Sequence, residues 1–147
     1  MSTQAEMGKT EEVGKGELVG EIRAKIVSTT IKELTPLGVK LEYNGEGGLT
    51  GSKINSRHLE TANVFQKMDG TFEWDTKAIE TTMEGDVVVA SVRGTGKNTG
   101  PTTVWGEGEG LFMTQSPRLS SLNGLRTKVE VSGDLATGDY QVKIRTA

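Results

Sequence analysis

The chain has 147 residues and a formal net charge of −3 at pH 7, a length that suits one domain. Its 17 Lys and Arg residues are scattered among 20 Asp and Glu residues. Because phosphate-binding surfaces need concentrated basic charge, neither nucleic acid nor an anionic membrane is expected as a partner. With no cysteine and one histidine, disulfides, thiolate nucleophiles and Cys-ligated metals are excluded.

The first 15 residues are polar and charged without apolar periodicity, which predicts a flexible tail at 1–15 before a single domain at 16–147. No apolar run approaches the roughly 18 residues of a membrane span. The N-terminus also lacks the apolar core of a secretory signal. The sequence therefore predicts a soluble cytoplasmic protein.

Short stretches with a period of two follow one another from Glu17 onward and predict β-strands. Asp69-Gly70, between two of these stretches, is a strong hairpin signal. Segment 50–60 alternates only weakly, and segment 116–124 reads as a loop or a single helical turn. Strands are predicted at 18–26, 39–44, 62–68, 72–78, 87–93, 104–113, 125–131 and 140–145.

No window of the chain shows an apolar stripe with the 3.6-residue period of a helix. Eight or nine short strands predict an all-β antiparallel barrel or sandwich. The 20 glycines favour a closed barrel, because coiled strands use glycine where they bend or where large side chains cross them. We expect Phe72 and Trp74 to cover Gly106, Gly108 and Gly110.

Three motifs resemble the allene-oxide-cyclase-like, calycin-type barrel families: Trp105-Gly-Glu-Gly-Glu-Gly-Leu-Phe112, Leu122-Asn-Gly-Leu-Arg126 and Gly138-Asp-Tyr-Gln-Val-Lys143. The likeness spans roughly residues 85–145. It implies a barrel of about eight antiparallel strands. Most small bacterial and archaeal proteins of this type have no assigned function, and the plant cyclases that name the fold act on a fatty-acid epoxide and form trimers.

The acidic pair Glu107 and Glu109 lies on one face of the predicted strand 104–113. If this face points into the barrel, burial and mutual repulsion make one carboxyl group a candidate general acid. If it points outward, Trp105, Leu111 and Met113 flank the acids and suit a contact between subunits. Both orientations remain open.

Four further residues are candidates for ligand binding: Arg93, Tyr43, Asn55 and Trp74. An inward Arg93 would anchor a carboxylate ligand, whereas an outward one would only reach water. The single histidine, His58, has Arg57 and Glu60 as neighbours, which are typical of a surface turn and indicate a side chain that is either solvated or bonded to a backbone carbonyl. Neither a metal ion nor a cofactor is expected.

Two functions are consistent with these features. The first is a non-enzymatic module that binds a small apolar or carboxylate ligand, or serves assembly alone, as a homo-oligomer. The alternative is a cofactor-free isomerase or cyclase in which Glu107 or Glu109 acts as acid or base on a substrate held in the barrel.

Overall fold

The computed structural model describes residues 16–147, and the predicted tail at 1–15 lies outside the described residues. The strands are β1 (Leu18–Thr35), β2 (Gly38–Gly51), β3 (Asn55–Lys67), β4 (Thr71–Thr82), β5 (Val87–Asn98), β6 (Thr103–Thr114), β7 (Arg126–Asp134) and β8 (Asp139–Thr146). A short 3₁₀-helix, Pro117–Leu122, connects β6 to β7.

The strands form a closed antiparallel barrel, which confirms the predicted fold. Each strand pairs with the next one in the chain, and β8 returns to pair with β1. Alternation then divides the side chains between two faces. On β4, even-numbered side chains from Phe72 to Thr82 face the interior, and the odd-numbered ones are exposed.

All eight strands are longer than predicted, and β1 and β2 exceed their predicted lengths by the most. Strand β8 pairs only with Leu18–Lys25 of β1, and Ile26 N–H donates to the Gly138 carbonyl oxygen; beyond Ile26, β1 pairs with β2 alone. In this extension Ile31 and Leu34 are 65% and 74% exposed, and the register shifts twice. Strand periodicity ends at Ile26 because neither face of the extension is buried and the register shifts interrupt the alternation.

The glycine-rich segment 44–48 is part of β2, although its sequence reads as an acidic turn. Gly45 lies beneath the Tyr140 side chain, and Gly47 lies against Ala24 of β1. A side chain at either position would overlap these neighbours. Here glycine permits close approach inside a strand, not a change of chain direction.

One end of the barrel is filled by the connection between β6 and β7. Leu119 and Leu122 of the 3₁₀-helix are buried in the same core cluster as Leu49 and Val88. Two backbone hydrogen bonds hold this connection in place: Phe112 N–H donates to the Leu125 carbonyl oxygen, and Gly124 N–H donates to the Phe112 carbonyl oxygen. Within residues 16–147, no helix is long and apolar enough to cross a membrane.

Aromatic side chains cover the glycines of β5 and β6, largely as expected. Trp74 packs over Gly106 and Gly108, and Phe72 packs against Gly96. The Trp74 indole also donates a 3.2 Å hydrogen bond to the Thr95 carbonyl oxygen. Gly110 differs, because its neighbours are Thr127 and Val92.

Candidate ligand site in the barrel interior

A cavity of about 150 Å³ lies inside the barrel. Much of its wall is apolar, with side chains such as Ala62, Val64, Ala90, Val92, Val129 and Val131. The polar side of the wall includes His58, Glu60, Glu80 and Tyr140. An apolar cavity with a few converging polar groups is the usual form of a small-molecule site.

His58 and Glu60 face the interior together because they are two residues apart on β3. The β3–β4 hairpin places Glu80 directly opposite His58. His58 and Glu80 are each only 1% exposed. Local strand geometry therefore brings one imidazole and two carboxyl groups together in the barrel interior.

The His58 ring makes a hydrogen bond at each nitrogen. Its Nε2 lies 2.7 Å from Glu60 Oε1, and its Nδ1 is hydrogen-bonded to Glu80 Oε2. Ser56 donates a 2.9 Å hydrogen bond from its hydroxyl to Glu80 Oε1. Both ring nitrogens donate only when the ring is protonated, so this arrangement stabilises the imidazolium form.

The pKa of His58 follows from two opposing effects. Burial alone lowers it, since desolvation penalises the charged ring. Hydrogen bonds to Glu60 and Glu80, together with the charges of these groups, outweigh burial and raise the pKa of His58 to about 9. His58 is therefore positively charged at neutral pH.

Tyr140 of β8 brings a hydroxyl group into the same region. Its oxygen is buried beside Gly45 and makes no hydrogen bond within the described residues. Burial first, and then the negative charge of Glu60, raises the pKa of Tyr140 far above its usual value. Although Glu60 is close enough to influence this hydroxyl, the two groups do not meet hydrogen-bond geometry. Buried polar atoms are normally partnered, so an unpartnered hydroxyl at this position is unusual.

The four predicted ligand-binding residues divide into two pairs. Tyr43 and Trp74 line the cavity, and burial raises the pKa of Tyr43. Arg93 and Asn55 do not line it, and both are exposed. Arg93 points outward because Val88, Ala90 and Val92 take the inward positions of β5, so it cannot anchor a carboxylate in this cavity.

Glu107 and Glu109 are exposed on the outer face of β6, since the glycines between them take the inward positions. Among the predicted contact residues, Trp105 and Leu111 are half-buried and Met113 is 45% exposed. Leu111 also borders the cavity. The structure thus places the acidic pair away from the interior where a substrate would lie.

The expectation that His58 is solvated or bonded to a backbone carbonyl is wrong, because residues 55–67 form one continuous strand instead of a turn and the ring nitrogens are bonded to Glu60 and Glu80. A signal for its true position existed in the sequence. The Asp69-Gly70 turn sets the hairpin register, and extending that register back along both strands pairs His58 with Glu80. Ser56, Glu60, Ala62 and Val64 then share its inward face.

The cluster does not form a metal site. Its two carboxylates bind opposite nitrogens of the His58 ring, so the three groups do not converge on one ion. More broadly, residues 16–147 contain no group of three or more His, Asp or Glu side chains able to hold a metal.

No family model matches the chain, and no curated protein matches it. Several solved structures are similar to it. A conserved protein of unknown function from Rhodopseudomonas palustris has a TM-score of 0.74 and 15% identity, covering 87% of this chain and 93% of its own. A protein of unknown function from Clostridium acetobutylicum has a TM-score of 0.75 and 14% identity, covering 87% and 95%.

A third similar structure is a "beta-barrel like protein" from Acinetobacter baumannii, with a TM-score of 0.73 and 16% identity. It covers 88% of this chain and 93% of its own. At such identities the likeness concerns the fold alone. The chain is therefore similar in fold to bacterial β-barrel proteins, two of which are described as being of unknown function.

Proposed function

We propose that the protein is a non-enzymatic binding module that holds a small, mainly apolar molecule inside its barrel. The observation that carries this proposal is the apolar cavity of about 150 Å³ with polar groups on its wall. In another protein, a cavity of about this volume accommodates benzene. The expected ligand is thus the size of one ring or a short branched chain.

Membership of the allene-oxide-cyclase-like families is likewise a proposal, supported by the three glycine-containing motifs and by the barrel itself. It does not carry the plant enzymes' substrate to this chain. A fatty-acid epoxide is much longer than a single ring, whereas the cavity is about the size of one.

Binding can be tested with toluene as the probe and Trp74 as the reporter, in a Trp105→Phe background that leaves Trp74 as the sole tryptophan. We expect a saturable change in Trp74 fluorescence with a Kd of about 0.1 to 1 mM, in line with the affinity available to so few atoms. Ala90→Leu, which fills the cavity, should weaken toluene binding at least tenfold.

Ser91→Leu is the matched control, because the same side chain is then added to the outer face of the same strand. It should leave the toluene Kd within twofold. No saturable signal, or equal weakening by both substitutions, would contradict binding inside the barrel.

A cofactor-free isomerase is the second candidate, with different residues from those predicted. Glu60 would accept a proton from a substrate while the Tyr140 hydroxyl donates a hydrogen bond to its carbonyl oxygen. The unpartnered hydroxyl beside Glu60 favours this chemistry. The hydrogen bond from His58 to Glu60 disfavours it, because it reduces the basicity of that carboxylate. Binding without catalysis is therefore preferred; catalysed exchange of a ketone's α-hydrogens for deuterium would reverse this preference.

A homo-oligomer is also proposed, supported by the extension of β1 beyond the barrel. Its outer edge lacks a partner strand within residues 16–147, and Ile31 and Leu34 are exposed on it. An unpaired strand edge of this kind can pair with the same edge of a second copy. We expect light scattering to show a dimer or larger oligomer for the wild type and a monomer for Ile31→Lys. A wild-type monomer would contradict the proposal.

A further inference from the structure

The charged groups around the cavity are mostly of one sign. Its lining residues include the acidic residues Glu60 and Glu80, and also Asp134, which is half-buried, and Asp139, which is exposed. His58 is the only cation among them, and no Lys or Arg of the described residues lines the wall. The imidazolium balances one carboxylate, so negative charge is in excess. Low-dielectric walls strengthen the field of such an excess.

Aromatic rings supply a second preference in the same direction. Tyr43, Phe72, Trp74, Phe112 and Tyr140 all line the cavity. The face of an aromatic ring carries negative charge density, and it attracts ammonium groups at close range. Apolar walls and ring faces together suit a ligand that is apolar over most of its surface and cationic at one point.

Two polar atoms near His58 are suited to that cationic point: Glu60 Oε2 and the Tyr140 hydroxyl oxygen. Glu60 uses Oε1 for His58, and the nearby Tyr140 hydroxyl does not meet hydrogen-bond geometry with Glu60 although it is close enough to feel its charge. The Tyr140 oxygen is buried without a partner. Both atoms accept hydrogen bonds, and a primary ammonium group has three N–H donors to offer.

We infer that the ligand is a small apolar amine, bound as its ammonium ion. Its apolar part fills the cavity, and its ammonium group donates to Glu60 Oε2 and the Tyr140 oxygen. This inference rests on the proposed binding function. It replaces the expected carboxylate ligand, because a carboxylate would meet repulsion from Glu60 and Glu80 and would find no arginine on the wall.

The test compares three matched probes of nearly equal size at pH 7: benzylamine, toluene and benzoate. A second series, butylamine, 1-butanol and butyrate, covers a ligand without a ring. Affinities are measured from Trp74 fluorescence in the Trp105→Phe background. We expect benzylamine to bind at least tenfold more tightly than toluene, and benzoate to bind more weakly than toluene. In the second series, butylamine should likewise bind most tightly and butyrate most weakly.

Glu60→Gln identifies the residue responsible, since it preserves size while removing the charge. Benzylamine affinity should fall about tenfold and toluene affinity should stay within twofold, which also shows that the cavity is intact. Glu107→Gln, on the outer face, is the control and should change neither value.

The outcomes separate this inference from the function on which it rests. If benzylamine and toluene bind equally, or benzoate binds more tightly, the amine inference is wrong and apolar binding stands. If no compound of either series binds, both are wrong. If Glu60→Gln leaves benzylamine unaffected, the assignment of the ammonium group to Glu60 is wrong.

Discussion

The free energy of unfolding should fall by about 2 kcal/mol between pH 7 and pH 9, through loss of the His58 proton. The folded protein holds this proton with a pKa of about 9, whereas the unfolded chain releases it near 6.5. Stability from the raised pKa is fully present below pH 6.5 and is lost as pH rises through 9. In this window the folded state binds the extra proton, so stability must decrease.

Other perturbed groups affect the wider pH profile but not this interval. Tyr140 also has a raised pKa, yet its unfolded form titrates near pH 10, so its contribution is lost only above that pH. The lowered pKa values of Asp69 and Asp86 affect the free energy of unfolding only at acidic pH.

Urea unfolding at several pH values measures how the free energy of unfolding changes with pH, and His58→Gln is the comparison. The wild-type curve should fall and the variant curve stay nearly level; equal slopes would contradict the assignment.

Glu80→Ala should destabilise the protein by about 3 to 5 kcal/mol, which is the usual cost of removing one partner from a buried ion pair. Glu80 is 1% exposed, and it holds both the His58 ring and the Ser56 hydroxyl. Its removal leaves the buried Nδ1 of His58 and the partly buried Ser56 hydroxyl without their acceptor. We also expect the pKa of His58 to decrease, because one of its two carboxylate partners is lost.

Glu107→Ala provides the matched control on an exposed strand position, where the expected change is within about 0.5 kcal/mol. Urea unfolding at pH 7 measures both variants. A loss below 1 kcal/mol for Glu80→Ala, or similar losses for the two variants, would show that the cluster is not an essential part of the core.

The strands that can be predicted from the sequence are those with one face buried and the other exposed to solvent. Phe72, Trp74, Thr76 and Ala78 show this alternation plainly, and the structure places all four on the inner face. Beyond Ile26 the same reasoning fails, because the side chains of β1 are largely exposed there. A strand held by pairing alone leaves no apolar period in the sequence.

The candidate site was harder to predict because its residues are polar. His58 and Glu60 resemble a surface turn by composition, and only the register with Glu80 shows that they are inside. The orientation of Glu107 and Glu109 could not be decided within β6 either. It depends on Trp74 of β4, which covers the neighbouring glycines across β5.

The cavity itself has no sequence motif, since it forms between side chains that strand pairing brings together from distant parts of the chain. Tyr140 reaches Gly45 across β1, and this contact is visible only in the folded barrel. Arg93, which the sequence suggests as an anchor for a carboxylate ligand, faces outward. Whether a residue takes an inward or an outward position on its strand, and not its type, decides which polar groups can contact a ligand.

The most direct test of a charged His58 on the wall of a ligand site is NMR of its imidazole, which is unambiguous because the chain contains one histidine. The ring nitrogens should titrate with a pKa of about 9, and their resonances should shift in a saturable way when benzylamine is added at pH 7. A ring that titrates near 6.5 and does not respond to benzylamine would contradict this account of the site.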